Sequence, residues 1–277
     1  MCGRYALTVP PEVLARILQL VKMAVYSPRA NIAPTQNAPV VRLVERAAAD
    51  GRPGRTLELL RWGLIPEWAK DKDIGLKAIN ARAEGIETKP MFRKAVRRQR
   101  CLVPASGFIE WEKRADGKQP HYFHTGREQV VCFAGLWESW VDVATGEEIK
   151  SYTIVTTSAN EKVRPIHDRM PVIVDPGDFD RWLDPKVDFE DVKGVLRPAR
   201  EDVLSEYLVS RRINGSREDD PSLLNPVGTG QVESPENGQG GGGEGRIRAG
   251  MDSGRGKRRK SAADGGMESL FGDPLQP

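Results

Sequence analysis

The chain has 277 residues, with 42 lysines and arginines against 39 aspartates and glutamates, and its formal net charge is +3. Its three cysteines are too few and too scattered for a disulfide framework or a paired-cysteine metal site, so a reducing, cytosolic setting is expected. No apolar run in the sequence approaches the length of a membrane span, and no basic segment followed by an apolar stretch indicates a signal peptide.

The chain opens with Met1-Cys2-Gly3-Arg4-Tyr5, in which the small second residue favours removal of Met1. Cys2 would then carry a free α-amine and a thiol on adjacent carbons. Such an amine, with an ordinary pKa of about 7.7–8.0, condenses with an aldehyde to a Schiff base, and the thiol can then close a thiazolidine ring. The alternative is that position 2 varies freely and that this cysteine has no chemical role.

The predicted elements are mostly strands. Apolar residues at helical spacing after Pro11 predict a helix over residues 11–23, and shorter helices are predicted over residues 91–100, 176–183 and 188–196. Segments rich in β-branched and aromatic residues predict strands, at residues 40–44, 57–62, 129–137, 151–157 and 172–174. The sequence therefore predicts a strand-dominated α+β domain.

The last part of the chain has a different composition. From residue 228 it is rich in Gly, Ser, Glu and Arg, and such a segment cannot bury enough apolar surface to fold alone. We therefore expect one folded domain over residues 2–227 and a disordered, Gly-rich tail over residues 228–277. The tail contains a basic cluster, residues 255–260, and an apolar pair, Leu270 and Phe271. This pair is similar to peptides that dock bacterial repair proteins on the replication clamp, although the usual leading glutamine is absent.

Six phrases in fixed order are specific enough to indicate a family. They are Met1-Cys2-Gly3-Arg4-Tyr5, Asn31-Ile32-Ala33-Pro34-Thr35, Trp62-Gly63-Leu64-Ile65-Pro66, Ile79-Asn80-Ala81-Arg82-Ala83-Glu84, Gly107-Phe108-Ile109-Glu110-Trp111 and Ile166-His167-Asp168-Arg169-Met170-Pro171. From residue 2 to about residue 227, the chain resembles the SOS response-associated peptidase (SRAP) family. The resemblance implies a barrel-like antiparallel β core with peripheral helices, and covalent attachment to abasic sites in single-stranded DNA.

The resemblance also implies four catalytic residues, Cys2, Asn80, Glu110 and His167. An abasic deoxyribose is mainly a closed hemiacetal, so a carboxyl group that moves a proton at the ring oxygen would help to open it. Apolar neighbours of Glu110 would raise its pKa toward the useful range. From the residues alone, Glu110 could equally be an exposed glutamate on an alternating strand, and His167 could be structural.

By the same resemblance, Arg4 and Arg82 bind DNA, while Pro34 and Trp68 form an apolar wedge that stacks on or separates bases. Asn80 and Arg82 are two positions apart and would project from one face of an extended segment. The chain departs from the family pattern at the wedge, because Trp68 is followed by an alanine where members often have a second aromatic residue.

The chain has a dense basic run, which comprises Arg93, Lys94, Arg97, Arg98 and Arg100. Such a run could be a solvated helix face. Because the resemblance implies DNA binding, we expect part of the run to face phosphates. His121 and His124 lack a partnering cysteine pair, so no metal site is expected, and the chemistry implies no cofactor.

The predicted function is therefore an enzyme of the DNA damage (SOS) response that binds single-stranded DNA and forms a thiazolidine cross-link with abasic sites through Cys2. We expect a monomer in the cytoplasm, associated with the nucleoid and not with a membrane, and docking on a replication clamp through Leu270 and Phe271. Two alternatives remain open. One is an autoprocessing peptidase with Cys2 as an N-terminal nucleophile, and the other is a non-catalytic adaptor for single-stranded DNA or the clamp.

Overall fold

Short strands dominate the part of the chain that the computed structural model describes, residues 2–45, 53–126 and 130–228. The strands are β1 (Tyr5–Leu7), β2 (Leu20–Met23), β3 (Arg29–Ile32), β4 (Asn37–Val44), β5 (Gly54–Trp62), β6 (Asn80–Arg82), β7 (Arg100–Ala105), β8 (Gly107–Arg114), β9 (Gly117–His124), β10 (Val131–Val141), β11 (Glu148–Ser158), β12 (Arg169–Pro171), β13 (Ile173–Val174) and β14 (Ser205–Leu208). The α-helices are α1 (Pro11–Leu18), α2 (Ala95–Arg98), α3 (Phe179–Leu183) and α4 (Phe189–Val192). Single 3-10 turns or short 3-10 helices occupy Lys72–Lys77, Pro176–Asp178, Lys193–Val195, Arg211–Asn214 and Pro221–Leu224.

Five strands close into a barrel, which agrees with the barrel-like core that the family resemblance implied. Strand β5 pairs antiparallel with β4, β4 with β7, β7 with β10, and β10 with β11. The ring is completed by a parallel pair between β11 and β5, at Ser151 opposite Arg61 and Tyr152 opposite Trp62. Closure leaves none of these five strands with a long unpaired edge. The core is therefore antiparallel except at this one seam.

Aromatic side chains fill the interior of the barrel. The ring of Tyr5 lies edge-on to Trp62, with centroids 5.2 Å apart, and edge-on to Phe133 at 6.1 Å. The hydroxyl groups of Tyr5 and Tyr152 share a hydrogen bond of 2.7 Å. These large, fully buried rings supply much of the apolar area that stabilises the domain, and the hydrogen bond satisfies both hydroxyls inside it.

A second sheet, in the order β14-β9-β8-β1-β3, lies beside the barrel and carries the start of the chain. Strand β1 pairs with β8, with Tyr5 opposite Phe108, and the amide of Ile109 donates to the carbonyl oxygen of Arg4 over 3.0 Å. A Cβ at Gly107 would lie 2.3 Å from the carbonyl oxygen of Phe123, so only glycine permits this close approach of β8 to β9. The pairing fixes residue 2 near the middle of β8.

Two predicted helices are shorter than expected. The helix predicted over residues 11–23 ends at Leu18, because Gln19 is left-handed with φ of 52°, and Leu20–Met23 pairs as strand β2 with β5 instead. In the segment predicted as helix over residues 91–100, only Ala95–Arg98 is α-helical, and Arg100 begins β7. In the first case sheet pairing outweighs local helical periodicity, and in the second the pairing of Arg100 in β7 ends the helical segment.

The described residues all belong to one unit, Met1–Ser234. Among them, no helix is both long and apolar enough to cross a membrane. The basic cluster at residues 255–260 and the pair Leu270 and Phe271 lie outside the described residues. The division at residue 227 and the role of the tail therefore stay predictions.

Candidate active site

Cys2 lies immediately before β1 and is completely buried, with 0% of its surface exposed. Among the residues that the structure describes, its thiol makes one long contact, of 3.7 Å, to the carbonyl oxygen of Arg4. Burial, together with the negative charge of Glu110, raises the pKa of the Cys2 thiol. The thiol is therefore protonated at neutral pH, and a base must take its proton when the sulfur reacts.

Asn80 contacts Cys2 directly. Strand β6 pairs in parallel with β11, Asn80 opposite Ile154, and this pairing holds Asn80 at the barrel wall. Its amide nitrogen Nδ2 donates to the carbonyl oxygen of Cys2 over 2.8 Å. Its Oδ1 atom is buried and has no hydrogen-bond partner among the described residues. Asn80 thus fixes the main chain of Cys2 and keeps one acceptor available beside it.

Glu110 lies on β8 and is only 2% exposed. Burial raises the pKa of Glu110 to about 7, and the nearby negative charge of Asp168 adds to the increase. This agrees with the effect expected from its apolar neighbours. A carboxyl group with such a pKa is populated in both protonation states at neutral pH, so it can donate a proton in one step and accept it in the next.

His167 has a defined tautomer. The backbone amide of Arg169 donates to its Nδ1 atom over 2.9 Å, and burial lowers the pKa of the ring. The imidazole is therefore neutral at pH 7 with its proton on Nε2, an assignment made from the hydrogen bond. The Asp168 carboxylate lies 3.0 Å from the same Nδ1 atom, but an Nδ1 atom that accepts from Arg169 has no proton to donate to it, and Asp168 is 80% exposed to solvent.

The residues predicted to bind DNA differ in their surroundings. Arg82 is exposed, and among the described residues its side chain has no hydrogen-bond or ion-pair partner. Trp68 is 59% exposed, and Pro34 is half-buried. Arg4, by contrast, donates to Asn31 Oδ1 over 2.7 Å and to the carbonyl oxygen of Ile213 over 3.1 Å. These internal partners of Arg4 were not foreseen, and the DNA contacts of all four residues stay predictions.

Part of the basic run is structural. Arg100 is buried, and its guanidinium donates to five main-chain carbonyl oxygens, those of Val96, Arg97, Trp182, Asp184 and Val187. Arg100 is therefore not in the part of the run that could face phosphates, and a phosphate contact by the other members stays a prediction. Lys94 forms an ion pair with Glu67, whereas Arg93 and Arg97 have exposed side chains.

His121 and His124 contact neighbouring side chains within the fold. The two ring nitrogens of His121 face Glu206 and Glu112, the latter over 3.3 Å, and the ring of His124 stacks on Tyr122. Within the described ranges, no group of three or more His, Cys, Asp or Glu side chains is arranged to hold a metal ion.

The family model described as SOS response associated peptidase (SRAP) matches residues 1–216. The chain belongs to this family. The abasic site processing protein YoqW of Bacillus subtilis is 39% identical over 230 residues, covering 81% of this chain and 99% of the relative. The abasic site processing protein HMCES of Gallus gallus is 31% identical, covering 73% of this chain and 67% of the relative.

Two solved structures share the SRAP fold. A crystal structure of a Bacteroides thetaiotaomicron protein superposes with a TM-score of 0.71 at 24% identity, covering 82% of this chain and all of that one. A phage-related protein from Bordetella bronchiseptica gives a TM-score of 0.58 at 30% identity, covering 76% of this chain and 95% of that one. The strand-dominated fold predicted from the sequence is thus confirmed.

Sequence reasoning missed one contact that links two SRAP phrases. The Arg169 guanidinium donates to both carboxylate oxygens of Glu84, over 2.8 and 2.9 Å, and to the carbonyl oxygen of Thr156 over 2.6 Å. This bidentate pair ties the segment after Asn80 to the segment that carries His167. The available signal was that Glu84 and Arg169 each belong to a phrase that contains a predicted catalytic residue.

Proposed function

We propose that this SRAP protein processes abasic sites in single-stranded DNA by joining Cys2 covalently to the abasic sugar. The relatives named abasic site processing proteins support the substrate. The observation that carries the chemistry is the placement of Cys2: Asn80 holds its carbonyl group, and a buried carboxyl with a pKa of about 7 lies close enough to influence its thiol.

The first step is opening of the sugar. After removal of Met1, the neutral Glu110 carboxyl gives its proton to the ring oxygen, the C1′ hydroxyl proton leaves to water, and the C1′ aldehyde forms. The Nε2–H group of His167 donates a hydrogen bond to the hydroxyl that opening creates. Asn80 Oδ1 accepts a hydrogen bond from the Cys2 amine and so directs its lone pair toward C1′.

Two bonds to C1′ then form in sequence. The amine attacks the aldehyde, a C–N bond forms, and loss of one water gives a Schiff base. The ionised Glu110 carboxylate takes the thiol proton, sulfur bonds to C1′, and the proton is delivered to the nitrogen. The product is a thiazolidine, and the whole sequence releases one water and needs no oxidant, reductant or cofactor.

Binding of the strand is assigned to residues outside this pocket. The exposed Arg82 guanidinium suits a phosphate, because it has no competing partner among the described side chains. Trp68 and Pro34 offer apolar surfaces to bases, which every nucleobase can contact through its face. Such a DNA substrate would place the protein at the nucleoid, and we expect it to act as a monomer.

The family description also names peptidase action, so an N-terminal-nucleophile peptidase is the second candidate. Amide cleavage requires only a nucleophilic thiol, whereas a thiazolidine requires both the thiol and the amine of Cys2. Classification as a hydrolase or a lyase depends on this difference.

The test is adduct formation with an oligonucleotide that contains one abasic site, measured on denaturing gels. Cys2→Ser should lose the stable adduct and retain only a weak Schiff base that borohydride traps. Cys101→Ser and Cys132→Ser are matched controls, because both thiols are buried elsewhere in the core, and they should cross-link like the wild type. A stable adduct of unchanged yield in Cys2→Ser would refute the proposal.

For the tail, we propose recruitment to a replication clamp through Leu270 and Phe271. Replacing both residues by alanine in the full chain should abolish clamp binding in a calorimetric titration and leave adduct yield unchanged. A wild-type chain that does not bind the clamp would refute the docking.

A further inference from the structure

A groove on the outer wall of the barrel plays no part in the chemistry at Cys2. Its volume is about 290 Å³, and it is lined by Pro66, Glu67, Trp68, Pro90, Met91, Lys94 and Glu138. Trp68, although 59% exposed, belongs to this lining. An indole, two proline rings and a thioether form an apolar surface suited to a flat aromatic ring.

One wall of the groove carries a buried carboxylate. Glu138 lies on β10 and is 3% exposed, and burial raises its pKa. With its amide nitrogen turned toward the carboxylate, Gln99 donates to the two oxygens of Glu138 over 2.9 and 3.3 Å. A carboxylate has about four acceptor positions, so Glu138 can accept further hydrogen bonds from an occupant.

The charges of the lining indicate what kind of group fits. Lys94 forms an ion pair with Glu67 and also acts electrostatically on Glu138, so the lining carries two carboxylates against one ammonium group and is acidic overall. A phosphate would be repelled by these carboxylates. A neutral ring that presents N–H donors would be attracted, because each donor compensates the cost of the buried carboxylate.

We propose that this groove is a nucleobase subsite that holds a cytosine of the bound DNA strand, stacked on Trp68 with its N4 amine donating to Glu138. Carboxylates accept from cytosine N4, and base stacking on an aromatic side chain contributes to single-strand binding. Thymine presents a carbonyl oxygen where cytosine presents the amine, and that oxygen would face the carboxylate. The inference rests on the proposed function, since the same strand must be bound near Cys2.

The experiment is a cytosine scan. An all-thymine oligonucleotide carries a central tetrahydrofuran analogue, which cannot open to an aldehyde, and one cytosine is placed in turn at each flanking position. Affinity is measured by fluorescence anisotropy with the full chain. We expect one register to bind about fivefold more tightly than the all-thymine strand. The gain should disappear in Glu138→Leu and in Trp68→Ala, and should persist in Glu148→Leu, whose glutamate lies on the next strand outside the groove.

The proposal would be overturned if cytosine at every flanking position gave the same affinity as thymine (a flat scan). It would also be overturned if Glu138→Leu or Trp68→Ala kept the preference for cytosine. Trp68→Ala changes an exposed residue and therefore decides the question even if Glu138→Leu fails to fold. Adduct yield on an all-thymine strand with a reactive abasic site is measured in parallel. A normal adduct yield together with a flat scan would refute only the cytosine subsite. The absence of any adduct would refute the proposed function on which the subsite rests.

Discussion

The amide nitrogen of Asn80 and the carbonyl oxygen of Cys2 are joined by a hydrogen bond of 2.8 Å, across 78 positions of sequence. The contact fixes the main chain of the residue that must bring its amine and its thiol to one carbon. Because the hydrogen bond comes from a side chain on β6, the nucleophile is oriented by a strand that pairs with β11 of the barrel.

Replacing Asn80 by Asp should slow cross-linking strongly. The carboxylate would turn an acceptor toward the Cys2 carbonyl oxygen in place of the donor, and it would add a negative charge beside a thiol that must ionise. We expect a loss of about 10²-fold in the single-turnover rate, the size of a lost positioning contact. Asn225→Asp, at an exposed position, is the control. Equal rates for both variants would show that the Asn80 contact does not orient Cys2.

Glu110→Gln should reduce the rate by about 10² to 10⁴, the usual contribution of a general acid or base, and leave the affinity for undamaged single strands unchanged. In the wild type, the rate should fall above pH 7, as the Glu110 carboxyl with its pKa of about 7 loses the proton needed for ring opening. It should also fall at low pH, as the Cys2 amine becomes protonated. A glutamine variant that keeps the alkaline limb would remove Glu110 from the chemistry.

Glu110 should also lower the free energy of unfolding when it is ionised. The pKa of Glu110 is about 7 in the folded protein against 4.5 ordinarily, so the folded state binds the proton more tightly, and stability is lost as pH rises from about 4.5 through 7. At pH 8, Glu110→Gln should therefore raise the free energy of unfolding by at most roughly 3 kcal/mol. At pH 4 the two proteins should differ little. Urea titrations at both pH values measure this, and a variant that is less stable at pH 8 would contradict it.

Glu84→Gln should act on His167 through Arg169. The substitution removes the negative charge of Glu84 and so weakens its bidentate pair with the Arg169 guanidinium. The backbone amide of the same Arg169 donates to Nδ1 of His167 and fixes its tautomer. We expect a slower cross-linking rate with little change in DNA affinity, and an altered Nε2 chemical shift of His167 in NMR spectra. Glu87→Gln, three positions along, is the control. An unchanged histidine signal would show that the pair does not position the ring.

Arg82→Ala should weaken binding to single strands and reduce the slope of log affinity against log salt by about one phosphate contact. Arg200→Ala, which removes an exposed arginine paired with Asp202, is the charge-matched control. An unchanged slope for Arg82→Ala would exclude a phosphate contact.

Unlike Arg82→Ala, Arg4→Ala should destabilise the folded domain. Its guanidinium has two internal acceptors, so the variant leaves Asn31 Oδ1 and the carbonyl of Ile213 without this donor and should lower the unfolding free energy by about 1–3 kcal/mol. Normal thermal stability with a reduced salt slope would show that Arg4 serves DNA alone.

The strand patterns predicted a strand-dominated domain, and the family phrases implied its barrel-like core. The phrases also named Asn80 and Cys2, which the structure places in contact. They could not show what holds Arg4 or Arg100. In the sequence, Arg100 is one of five similar cations, and only its hydrogen bonds to five main-chain carbonyl oxygens, including that of Trp182, show that it is structural. The parallel seam between Tyr152 and Trp62 was equally hidden, since strand periodicity does not specify which strands meet.

The central claim is that one residue supplies both bonds to the sugar, and intact mass spectrometry after incubation with an abasic oligonucleotide tests it most directly. The account predicts a protein that begins at Cys2 and an adduct whose mass is the sum of protein and oligonucleotide minus one water, unchanged by borohydride. A chain that retains Met1 or carries an N-terminal tag should give no such adduct. A stable adduct of the same kind on an N-terminally blocked chain would contradict the mechanism.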